Sequence, residues 1–211
     1  MNIFNLPKTT SVEKVIPKNA FDSYTNAKQK KQISDCVSKI TWSHKLSTDT
    51  TNLQSKEIIE IQVFNIELKE KVEIKSILSI IDKAIPYLII FVIRYSSFIY
   101  ISTSPKHSNP HNENTSVIDY TFSSDWFEEN KNTFHIELKN NLDFVYKTFC
   151  EQFNSSKVLV KNIKELVSNQ KDVDNYNKEI QNLKSAILKC KQFSKKVELN
   201  MKLKDLENKS N

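Results

Sequence analysis

The tripeptide Glu67-Leu68-Lys69 is the sharpest catalytic candidate in this sequence. It ends a stretch, 58–68, that reads as a β-strand, and strand alternation puts Glu67 and Lys69 on one face. That placement is the one used by metal-dependent nucleases of the D/E-x-K type. The carboxylate would hold Mg²⁺, and the lysine would polarise or stabilise the attacking water. Such a site needs a second acidic ligand, which Asp49 or Glu60 would have to supply. Mg²⁺ enters only with this reading, and no other cofactor is implied. The plainer account is a polar solvent face on an edge strand. The same tetrapeptide, Ile-Glu-Leu-Lys, recurs at Ile136-Glu137-Leu138-Lys139, which reads as a helix start. The pattern is cheap.

His107 and His111, with Glu113 nearby, have the i,i+4 spacing of a zinc site. That spacing converges on one metal only on a helix, and Pro105 and Pro110 place both histidines in a loop. No metal site is expected, and His44 and His135 stand apart from any nucleophile. The chain has no glycine, which excludes the P-loop and the dinucleotide fingerprint. Tight turns must then come from Asn, Asp, Ser and Pro. Cys36, Cys150 and Cys190 are odd in number and far apart, and they read as reduced thiols of a cytoplasmic protein. The start of the chain has no signal-peptide pattern. Its most apolar stretch, 85–93, is about half of the roughly 20 residues a membrane span needs.

The charge is uneven. Residues 156–211 hold 13 Lys and 7 acidic residues, while residues 1–155 hold 18 basic and 18 acidic ones. The whole excess of +6 lies in the tail. Lysines such as Lys184, Lys191, Lys195 and Lys196 suit non-specific phosphate contact. Against this, the only arginine is Arg94, and base readout favours arginine. Tyr176 and Phe193 are the only aromatics of the tail able to stack on bases.

The elements that must position these residues follow from periodicity. Residues 1–26 read as irregular. Helical spacing of Ile33, Cys36, Val37 and Ile40 predicts a helix from Ala27 to about Leu46. In the strand 58–68, Ile59, Ile61 and Val63 take one face and Phe64, Ile66 and Leu68 the other, which calls for a bulge or bend near Val63–Phe64. A short amphipathic helix over 74–85, ended by Pro86, leads to a central strand over 87–95. Ser96-Ser97 turns into a hairpin partner over 98–103. Residues 104–116 read as an exposed loop, 117–122 as a fourth strand, and helices follow from Phe144 and over 158–167, with a break at Ser168-Asn169. A long helix then runs from about Val173 to Asn208. Tyr176, Ile180, Leu183, Ile187 and Cys190 form a coiled-coil-like seam. Its phase shifts after Phe193, where Leu199, Leu203 and Leu206 resume the stripe.

Several segments in order resemble one family. They are Ile16-Pro17-Lys18 with Phe21, Ile40-Thr41-Trp42 with Lys45-Leu46-Ser47, Thr51-Asn52-Leu53, Glu60-Ile61-Gln62-Val63-Phe64, and Ile81-Asp82-Lys83-Ala84-Ile85-Pro86-Tyr87 running into Ile89-Ile90-Phe91. Gln192-Phe193 with Lys196-Val197-Glu198-Leu199-Asn200 closes the set. Together they resemble the bacterial and archaeal family called domain of unknown function 4391. Where that family often has His after Pro-Tyr this chain has Leu88, and Ser96-Ser97 replaces the usual hairpin glycine. Members have no assigned activity. The resemblance implies a setting beside the helicases and DNA methyltransferases of restriction-modification and defence systems, and therefore an accessory subunit.

The expected architecture is α+β. A small mixed sheet of about four strands, flanked by helices, occupies 1–155, and a basic helical arm occupies 156–211. The expected function is that of an adaptor whose arm contacts a protein partner, or a second copy, through Tyr176, Ile180, Leu183, Ile187, Leu199 and Leu203. Nucleic acid is the alternative partner, and no membrane contact is expected.

Overall fold

The computed structural model describes residues 2–110, 115–154 and 159–209. The chain divides into two compact units, Met1–Leu166 and Val167–Asn211.

The first unit is built on a mixed sheet larger than the four strands expected. Its order is β1 (Ser11–Ile16), β2 (Val37–Ser47), β3 (Glu60–Leu68), β4 (Leu88–Tyr95), β5 (Phe98–Thr103) and β8 (Phe122–Ser123), with β9 (Phe127–Glu128) also pairing β5. A separate ribbon joins β6 (Lys106–Ser108) to β7 (Ser116–Ile118). Part of the stretch expected as a loop is therefore β-structure, and the expected fourth strand is divided between the ribbon and β8. β3 and β4 are parallel and every other pairing in the sheet is antiparallel. The parallel step requires a crossover, which α3 (Lys75–Ala84) supplies.

The helix expected to run to Leu46 stops ten residues earlier. α1 spans Ala27–Cys36 and opens on a capping box, in which Asn26 accepts from the Gln29 amide at 2.9 Å and Gln29 accepts from the Asn26 amide at 2.9 Å. From Val37 the chain becomes β2 instead. Val37, Ile40, Thr41 and Trp42 are β-branched or aromatic and pack well on a pleated surface, and β2 gains ladders on both sides, from β1 and β3. β1 itself lies in the segment expected to be irregular. It is a short edge strand, mostly exposed, with Glu13 and Lys14 at its centre, and charge on an edge resists further pairing.

The irregularity expected near Val63–Phe64 is present at that point of the β2–β3 ladder, but on the facing strand. The β3–β4 register runs without a break from Ile61↔Leu88 to Glu67↔Arg94. The irregularity lies in β2, between Trp42 and His44, opposite Phe64 and Val63, and β2 shifts register a second time between Val37 and Lys39. β3 alternates regularly and is buried on both faces over most of its length.

One face carries Phe64, Ile66, Ile89, Phe91 and Ile93, packed with Ile77, Leu78 and Ile81 of α3 and Ile33 of α1. On the other face Thr103 meets Tyr146 of α4 (Leu142–Glu151) at 2.8 Å between hydroxyls. Phe149 of the same helix is edge-on to Phe4, with centroids 5.6 Å apart. Without glycine, left-handed backbone falls at Asn5, Asn52, Ser96 and Asn140, and at Glu13 in the irregularity of β1 between Ser11 and Lys14. Three are Asn, the side-chained residue best suited to that region.

In the second unit the helix does not break at Ser168-Asn169 and is not continuous to Asn208. α5 runs Ile163–Lys189, beginning in the first unit, and α6 runs Phe193–Lys209. Among the described residues no helix is long and apolar enough to cross a membrane.

Candidate functional site

Glu67 is the penultimate residue of β3, exposed, with its Cα paired to Lys39 and Arg94. β3 is an interior strand, not an edge. Lys69 lies past the end of the strand. Its ammonium donates to the Ser34 carbonyl at 2.7 Å and its main-chain N–H to the Cys36 carbonyl at 2.8 Å. It therefore fastens the α1–β2 corner.

The proposed acidic partners stand at the far end of the sheet. Glu60 is seven residues back along β3, about 23 Å at the rise of an extended strand, and on the opposite face by alternation. It is buried, with Lys45 Nζ at 3.2 Å and the Gln62 amide donating at 2.6 Å. Asp49 sits in α2 (Thr48–Thr51), the turn after β2, whose Ser47 pairs with Glu60. The structure thus does not bring Glu67 and Lys69 together with Asp49 or Glu60. Of the carboxylates at this end of the sheet, Glu129 is committed to Arg94 at 2.7 Å, and Glu70 stands 3.9 Å from the Cys36 thiol. Among the described residues no group of three His, Cys, Asp or Glu side chains is arranged to hold a metal. His111 and Glu113 lie outside the described residues, while His107 stands in β6 with Nδ1 2.9 Å from Asp119 Oδ1. His44 is buried, and burial depresses its pKa, which keeps the ring neutral.

The most enclosed charge cluster was not found by sequence reasoning. Lys106 on β6 and Asp82 on α3 are both buried, with Nζ 3.2 Å from Oδ1. The same ammonium donates to the carbonyls of Asp82 at 2.6 Å and Ile85 at 2.8 Å. Those carbonyls belong to the last turn of α3, where four acceptors lack an intrahelical partner and a cation is favoured by the dipole. All three ammonium protons are thereby taken up, so Lys106 acts as a side-chain cap. Burial pushes the Asp82 carboxyl up to about 6, against the opposing pull of Lys106 and of a hydrogen bond from Ser104. The only signal in the sequence is Asp82 within the segment that carries the family resemblance. Its partner lies 24 residues on, in a stretch with loop composition.

The second unit carries the residues expected to bind a partner. Tyr176, Ile180, Leu183, Ile187 and Cys190 are half-buried while the residues between them are exposed. On α6 the half-buried residues are Leu199, Leu203 and Leu206. The chain reverses at 190–192. Tyr176 Oη donates to the Leu206 carbonyl at 2.9 Å, and Lys184 pairs with Glu207 at 3.4 Å. Both α6 partners lie near its end, and Tyr176 lies 13 residues before the end of α5, about 20 Å along its axis. The seam is thus satisfied at least in part within the chain, by its own second stripe. Lys191, Lys195 and Lys196 are exposed, whereas Lys184 has the Glu207 contact.

A third apolar stripe remains in solvent. Phe193, Val197 and Met201 are 82%, 43% and 64% exposed, and Leu188 just before the turn is 84% exposed. Spaced by four, they advance only about 40° per step around α6 and lie roughly opposite Leu199, Leu203 and Leu206. Sequence reasoning assigned two faces to the arm but put the partner contacts on the seam that is now half-covered.

The chain matches the family model described as domain of unknown function (DUF4391) over residues 4–209. No curated protein matches it, and no solved structure does. The match takes in both the sheet and the paired C-terminal helices, so the two units together are what the family model describes. The chain belongs to the DUF4391 family.

Proposed function

We propose that this chain is a non-enzymatic accessory or adaptor protein that docks a larger protein through its C-terminal helices. The observation that carries the reading is the exposed stripe of Phe193, Val197 and Met201 with Leu188. Large apolar side chains grouped on one exposed helix face mark interaction sites on soluble proteins. The scattered placement of Glu67, Asp49 and Glu60 favours this reading over a metal-dependent nuclease. A cytoplasmic DNA-processing assembly of restriction-modification or phage-defence type is the setting suggested by the sequence resemblance.

The test is co-purification with the partner from the native host. The full chain should retain the partner, while a chain ending after Ser168 and a full chain with Phe193→Ser, Val197→Ser and Met201→Ser should both lose it. Retention by the truncated chain would sink the proposal.

A further inference from the structure

We draw no further inference here: the strongest candidate, the exposed apolar stripe of Phe193, Val197 and Met201 on α6, already carries the proposed function, and nothing in the structure shows what covers it.

Discussion

Tyr176 of α5 donates its phenolic hydrogen to the main-chain carbonyl of Leu206 in the last turn of α6, at 2.9 Å. That carbonyl is among the four at a helix end with no intrahelical partner. One side chain thereby both ends α6 and ties it to α5.

Replacing Tyr176 by Phe removes only that hydroxyl and should cost about 1 kcal/mol within the second unit. Amide hydrogen exchange of Leu199–Leu206 should speed up about fivefold while amides of β3 and β4 keep their rates. Unchanged exchange in α6 would mean that the hydroxyl does not hold it.

The Asp82–Lys106 pair should dominate the response of the first unit to mutation. Lys106→Met leaves the carboxylate buried without its cation and the end of α3 uncapped, and should lower stability by about 3–5 kcal/mol at pH 7. Urea denaturation followed by tryptophan fluorescence measures this, and a loss below 1 kcal/mol would contradict the capping role.

The same carboxyl gives a pH signature. Its folded pKa, about 6, lies above the ordinary value of 3.8, so between these limits the folded state holds more protons than the unfolded one. Stability from this group is full below about pH 4 and is lost as pH rises through 6. Asp82→Asn removes this dependence. The stability of the native chain relative to Asp82→Asn should therefore rise as pH falls from 7 to 5, and a difference independent of pH would refute the assignment.

Glu67→Ala should leave any Mg²⁺-dependent DNA cleavage by the purified chain at background and change stability by no more than about 0.5 kcal/mol, as at most exposed positions. Cleavage by the native chain that disappears in Glu67→Ala would restore the nuclease reading.

Ser96 holds φ at 51° in the β4–β5 hairpin. A side chain there costs more than glycine does, partly offset by the greater entropy glycine loses on folding. Ser96→Gly should therefore gain up to about 1 kcal/mol, read as a higher midpoint in urea. A loss of stability would show that the Ser96 side chain does more than occupy the turn.

The apolar run Leu88–Tyr95, bounded by charge and by Pro86, shows in the sequence as a buried strand because both of its faces are covered. The hairpin and α3 follow from it. β2 was hidden because Ile33, Val37 and Ile40 are spaced by four and three, as on a helix, and Val37 and Ile40 reach the same core only through the irregularity between Val37 and Lys39. β8 and β9, two residues each, are too short to carry a period. The reversal at Cys190-Lys191-Gln192 lacks glycine and proline, and its trace in the sequence is the change of hydrophobic phase at Phe193. The lysine cap of α3 left no local trace at all, since neither partner's neighbours depend on it.

That cap also bears on the order in which the first unit folds. α3 links two strands that pair in parallel and needs nothing distant to form its first turns. Its last carbonyls are capped by Lys106, which lies beyond β4, the hairpin and β5 in the chain. If the cap closes after the folding barrier, Lys106→Met should speed unfolding and leave the folding rate nearly unchanged, and a slowed folding arm would place the closure before it.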